Sequence, residues 1–219
     1  TPTPSETATP SPTASETTTP TETPTPTATE PGVESNLLIS EVMYQLINGD
    51  PATQWIEIYN TSPYTLTLRG IKIGDEETQG GGEGMAAFPE GAQIAPQQVL
   101  VIAKSAAGFE FVFGWLPDYE FTPSDETVPD LVPYTAWANG IFNLAGQGDE
   151  VLILDSTDQL VDAMSYGISF FAFDPPAPTV PYGHSLERYP ADVDTDSAED
   201  WVDQAAPAPG SVRLAPLLR

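Results

Sequence analysis

Residues 146–167 read GQGDEVLILDSTDQLVDAMSYG, and how this stretch is understood decides the fold. Gly148-Asp149 opens it as a turn. Val151, Leu152, Ile153 and Leu154 form an unbroken apolar run, too short for a helix and rich in β-formers. Asp155-Ser156-Thr157-Asp158 is a polar four-residue turn. Residues 160–166 resume as a second strand, and Gly167 stops it. Two apolar runs joined by a short Asp/Ser/Thr turn predict a β-hairpin. The first strand has no polar alternate positions, which places it centrally, covered on both faces.

The flanking sequence continues the pattern. Residues 36–44, NLLISEVMY, predict the first strand, and Asn48-Gly49-Asp50-Pro51 a turn after it. Residues 54–60, QWIEIYN, alternate: Ile56 and Ile58 face the core, while Trp55, Glu57 and Tyr59 point the other way, with Glu57 outward or at an edge. Short strands are expected at 64–68, 70–74, 98–104, 141–144, 184–189 and 200–202. Gly80-Gly81-Gly82-Glu83-Gly84 reads as a flexible loop. Residues 105–140 break the spacing with Phe109, Phe111, Phe113, Trp115, Tyr119, Phe121, Tyr134 and Trp137 among Pro and acids. They hold at most one helical turn, at 106–113. Many short strands without a convincing amphipathic helix predict an all-β sandwich or barrel.

Composition divides the chain. Residues 1–31 contain 13 Thr and 8 Pro. With almost no apolar surface to bury, residues 1–35 are expected to form a disordered, extended stalk of the kind found on exported proteins. The domain proper is placed at 36–210, with an insertion at 105–140 and a tail at 211–219. That tail reads either as a last edge strand or as a surface-sorting segment. Five of the 32 acids precede Asn36 and all six bases follow it, leaving 27 acids against 6 bases in the remainder. Such a charge repels polyanions, so nucleic acid is not an expected partner, and neither is an anionic membrane. No apolar run approaches a membrane span. There is no Cys, hence no thiol chemistry. The low-complexity start leads to the expectation of a processed piece whose export signal lies upstream.

Leu38-Ile39-Ser40-Glu41-Val42-Met43-Tyr44, Trp55-Ile56-Glu57-Ile58-Tyr59-Asn60, Gly148-Asp149-Glu150-Val151 with Leu154-Asp155, Val161-Asp162, Ser185-Leu186-Glu187-Arg188, Trp201 and Pro207-Ala208-Pro209-Gly210 follow one another in a characteristic order. In this the chain resembles the lamin tail domain family, in its bacterial, exported branch, from residue 37 to 210. The resemblance implies an immunoglobulin-like β-sandwich with no catalytic centre. It also implies protein partners and, in the nuclear members, DNA; the charge here opposes the DNA part.

The inventory for catalysis is thin. His184 is the only histidine, and its neighbour Ser185 points to the opposite strand face, so a nucleophilic triad is not expected. Glu41 and Glu57 could form a glycosidase pair only at the right separation in a cleft; salt bridges to Arg188 or Arg69 are the plainer role. Asp192, Asp194 and Asp196, with Asp200 and Asp203 beyond, imitate a calcium loop. Ser197 stands where such a loop needs Gly, and no helices are expected to flank it. A polar loop capping local N–H groups ahead of Trp201 is the preferred alternative. No other cofactor is implied. Phe170, Phe171 and Phe173 are expected to fold back as core rather than stay exposed as a binding patch. The expected function is a non-catalytic interaction or adhesion module, monomeric, at the bacterial cell surface, with a protein or glycan partner. The alternatives are an accessory domain of an extracellular hydrolase or nuclease, and a calcium-dependent carbohydrate-binding sandwich.

Overall fold

The computed structural model describes Thr1, residues 36–45 and residues 49–216. The stalk expectation therefore lies outside the described residues. Two sheets face each other across one core. The first has six strands in the order β13 (Trp201–Gln204), β12 (Ser185–Arg188), β1 (Leu37–Met43), β2 (Trp55–Asn60), β7 (Val99–Ala103) and β8 (Tyr119–Glu120). Only the β7–β8 pairing is parallel. The second has five antiparallel strands in the order β11 (Leu160–Tyr166), β10 (Asp149–Leu154), β4 (Lys72–Gly74), β5 (Met85–Ala87) and β9 (Val132–Pro133). A small pair, β3 (Leu66–Thr67) and β6 (Gln93–Ile94), adds to the core. This is an all-β sandwich, as expected.

The hairpin is β10 and β11, paired from Asp149↔Tyr166 to Leu154↔Leu160. Its turn is pinned by Asp155, whose Oδ1 accepts the N–H groups of Thr157 and Gln159. Gly167 ends β11 at φ +65°, and a Cβ there would meet the Gln147 carbonyl oxygen at 2.1 Å. The double coverage of β10 is also present. Val151 and Ile153 lie in the main core, and Leu152 and Leu154 in a second cluster with Met85 and Ala138. However, β10 is not central; it is second from the edge, with β11 outermost. Its second face is covered by Tyr134, Trp137 and Ala138 of the insertion, not by a neighbouring sheet.

Ile56 and Ile58 face the main core, as the alternation predicts. Glu57, expected outward or at an edge, is instead fully buried on an interior strand. The outer face of this sheet is roofed twice. The helix α1 (Ala106–Phe113) packs Phe109 on Trp55, Val101 and Ala103. It is a two-turn helix rather than a single turn, capped by Ser105, which accepts from Gly108 N, and by left-handed Gly114. Its apolar residues run around the whole barrel of the helix, so no amphipathic period betrays it. The other roof is the C-terminal segment 205–213, described below.

Residues 141–144 do not form a strand, although Phe142 and Leu144 are core. The Gln54 side chain substitutes for a ladder partner: its Oε1 accepts Leu144 N–H and its Nε2 donates to Leu144 O. Residues 211–216 are extended coil, fastened where Ala191 N donates to Arg213 O.

Candidate interaction surface

Three groups of acids and one loop decide what this fold offers. The first group is a row across the outer face of the six-stranded sheet. Glu41 on β1 lies directly opposite Glu57 on β2 and Glu187 on β12. All three are under 5% exposed. Burial drives Glu41 up to about 7 and Glu57 up to about 8, against the hydrogen bonds that oppose the shift. Ser40 Oγ donates to Glu57 at 2.6 Å and Gly210 N at 2.7 Å. Ser185 Oγ and Ala208 N donate to Glu41. Gln204 and Arg213 donate to Glu187. Neither Arg188 nor Arg69 pairs with Glu41 or Glu57, contrary to the expected salt bridges. With the strap 205–213 laid over them, these carboxyls have no cleft in which to meet a glycoside. Glu41 Oε2 alone is left without a partner.

The second group surrounds Arg188, whose side chain crosses the core. Its Nη2 donates to both Asp162 oxygens at 2.9 Å, joining the two sheets, and its Nε donates to Ile39 O at 2.8 Å. Asp162 accepts Ile39 N–H as well, yet burial still raises it to about 6. The guanidinium lies over the Trp201 ring at 4.9 Å. Here the structure also places the proposed calcium residues. Asp194 Oδ1 accepts from Arg188 Nη1 at 2.6 Å, and also from Asp196 N. Asp200 accepts from Thr195 N and Oγ1, capping the loop. Asp203 pairs with His184 at 2.7 Å. Asp192 and Asp196 stand exposed. Asp194 and Asp200 are therefore gathered on Arg188, and Asp192 and Asp196 are not gathered with them. His184 and Ser185 do turn to different partners, Asp203 and Glu41.

The third group was not anticipated. Glu77, Glu83 and Glu150 each present a carboxylate oxygen within 4.8 Å of the others, and among the described residues no other set of acids converges this way. They line an open pocket of about 480 Å³ together with Gly148, Asp149, Ile168, Ser169, Phe170 and Phe171. Phe170 is 61% exposed and Phe171 39%, so these two rings are not core. Phe173 does pack on the core. The difference lies in the local chain: Gly167 turns the chain out of β11, and Ser169 Oγ ties the loop to Glu150. Burial, helped by a hydrogen bond with the Glu77 carboxyl and by nearby Asp149, raises Glu150 to about 8. Partial burial and the charges of Asp149, Asp75, Glu76 and Glu77 raise Glu83 to about 7. Behind them Asp75 accepts from Gly84 N and Asn143 N, and Asp149 from Ala145 N, each below 2.8 Å. Burial raises both to about 6. Among the described residues no lysine or arginine pairs with Glu77, Glu83 or Glu150; Lys104 bonds Asn143 and interacts with Asp75. The sequence signal was the acid on either side of a glycine loop, Glu77 and Glu83, but nothing in it placed Glu150 beside them.

Comparison with known proteins bears on the whole domain. A family model for the lamin tail domain matches residues 30–167. Among solved structures, a DUF4876 family protein from Bacteroides thetaiotaomicron is similar, at 15% identity and a TM-score of 0.48. The alignment covers 70% of this chain and 62% of that one, so the chain spans less than two thirds of its length. A search of curated proteins gives no match. The family match ends at Gly167, yet Glu187 and the 207–210 turn complete the same buried row that Glu41 and Glu57 begin.

Proposed function

The chain belongs to the lamin tail domain family, and from that premise we propose that it is a non-catalytic interaction module of an exported bacterial surface protein. The Thr/Pro-rich stretch before it would hold the domain clear of its neighbour. The observation that carries the proposal is the division of labour among its polar residues. Of the residues that carry the family resemblance, Glu41, Glu57, Asp162, Glu187 and Arg188 are locked into buried networks, where they serve folding, while Gly148, Asp149 and Glu150 reach the pocket. What remains open is the pocket rimmed by Ile168, Phe170 and Phe171. Exposed aromatic side chains beside carboxylates without a cationic partner are what a protein interface can use as anchors. The partner on this reading is a protein, and the acidic charge argues against duplex DNA.

The test is capture from the envelope and medium of the source bacterium, using immobilised full chain and a Phe170→Ala/Phe171→Ala variant. The expected result is one or more proteins retained by the wild-type chain and lost by the variant, with melting temperatures equal within about a degree. Equal retention by both would remove this face from the function. Hydrolysis of a polysaccharide or nucleic acid by the purified chain would overturn the non-catalytic reading.

A further inference from the structure

We propose that the pocket at Phe170 and Phe171 receives the cationic end of a lysine or arginine side chain, so that the partner docks through a basic segment. This rests on the reading that this face is the interaction surface, and it adds the chemistry of the occupant.

The apolar rim alone would suit many ligands. Its surroundings narrow the choice. Three carboxylate oxygens converge at one mouth of the pocket with no described base to neutralise them. The charges of Asp75, Glu76 and Asp149 add to theirs at Glu83, and Lys104 interacts with Asp75 rather than with the three glutamates. Like charges so close are costly. Burial first, and then these neighbouring charges, raise the pKa of Glu83 and Glu150, so that both favour holding a proton. An incoming cation would replace those protons.

The kind of cation follows from the rest of the lining. Phe170 and Phe171 line the same pocket and add no carboxylate, and an aromatic ring attracts an organic cation within about 6 Å. Ca²⁺ needs six to eight oxygen ligands, which an aromatic wall does not supply. An ammonium or guanidinium brings three to five N–H donors for the carboxylates and an alkyl stem for Ile168. The strong acidity of the chain makes a basic partner complementary over its whole approach.

The experiment titrates the full chain with a soluble peptide carrying three lysines in a Gly/Ser background, in about 150 mM salt, where long-range fields are screened. A peptide with glutamines in place of the lysines is the comparison. The lysine peptide should bind and the glutamine peptide should not. Affinity should rise between pH 6 and pH 8, and protons should be released on binding. Glu77→Gln/Glu83→Gln should weaken binding at least tenfold. Phe170→Ala/Phe171→Ala, which leaves net charge untouched, should weaken it severalfold. Glu110→Gln/Glu199→Gln removes the same charge elsewhere and should change it less than twofold. Equal losses in the pocket and control variants would mean a general field effect and overturn the proposal. So would a Ca²⁺ response that maps to Glu77 and Glu83 and blocks the peptide. If the phenylalanine variant loses its captured partner while no lysine peptide binds or competes, this inference fails and the interaction surface stands. If neither occurs, both fail.

Discussion

Glu41, Glu57 and Glu187 form one cluster of three glutamates, and Glu77, Glu83 and Glu150 form another. The residue type and the number are the same, and in each cluster burial raises carboxyl pKa values to about 7 and about 8. Their fates are opposite. The first is roofed by residues 205–213, which bring Ala208 N, Gly210 N and Arg213 to the three side chains. The second has an aromatic rim, an open mouth and no arginine. Acidity therefore does not distinguish a structural cluster from a binding surface in this protein. What distinguishes them is whether the chain itself supplies a cation and a covering segment of backbone donors. The pocket lacks what the row already has, and so it is the pocket that can use a partner.

The largest effect that could break this contrast is on stability. Glu57→Ala leaves Ser40 Oγ and Gly210 N without their acceptor inside a buried layer. Each orphaned group costs about 1–3 kcal/mol. At roughly 2–4 °C per kcal/mol for a chain of this size, thermal unfolding should drop by about 10 °C. A drop below a degree would mean that the strap is not fastened through Glu57.

The next effect is in pH. The ordinary value of Glu57 is 4.5 and its folded value is about 8; Glu41 rises from 4.5 to about 7. A carboxyl whose pKa is higher in the folded state stabilises the fold while it holds its proton. That contribution is complete below about 4.5 and is lost as pH rises through 7 and 8. Melting temperature should therefore fall from pH 5 to pH 9. Glu57→Gln cannot ionise, but its amide nitrogen cannot accept from one of the two donors. It should cost about 1–2 kcal/mol at pH 5 and markedly less at pH 9. A parallel pH profile in wild type and variant would show that Glu57 titrates normally.

These clusters also mark the limit of what the sequence discloses. The hairpin could be read from residues 146–167 because a strand pattern and a polar turn are local signals. Ile56 and Ile58 could be read because alternation is local too. The position of Glu57 could not, since its burial depends on a segment about 150 residues later folding across it. The same holds for β10, whose second face is covered by Tyr134 and Trp137 from the insertion. Three nearby phenylalanines ordinarily bury, which points Phe170, Phe171 and Phe173 alike to the core; only Phe173 packs there. The pocket joins Glu77 and Glu83, on the loop after β4, to Glu150 on β10, which pairs with β4, and no spacing rule links them.

The third effect is small and should have the other sign. Glu77→Gln/Glu83→Gln relieves crowded charge at a position that holds up no backbone from residues 205–213. Stability should stay within about 0.5 kcal/mol or rise slightly. A loss like that of Glu57→Ala would make the pocket a second structural cluster and erase the contrast.

The smallest effect concerns the loop of Asp192, Asp194 and Asp196, which sharpens the comparison by adding a third arrangement of acids. Calcium there would need these carboxylates to converge within about 2.6 Å of one point. In the folded chain Asp194 is already bonded to the buried Arg188, at 2.6 Å, and the guanidinium also holds Asp162 and the Ile39 carbonyl. Drawing Asp194 toward an ion would strip one partner from a charge that is 99% buried, and removing a partner of that kind is costly. The cation of this loop is thus built in, as the donors of the glutamate row are. Millimolar Ca²⁺ against chelator should move the melting temperature by less than about a degree, although a site saturated a hundredfold above its Kd would add about 2.7 kcal/mol. A shift of several degrees, abolished by Asp194→Ala, would establish a calcium site at these three aspartates. It would also show that Arg188 can release Asp194, so that a built-in counter-ion does not close a cluster to ligands. A shift abolished by Glu77→Gln/Glu83→Gln instead would assign the ion to the open pocket, the one cluster whose positive charge the described residues do not provide.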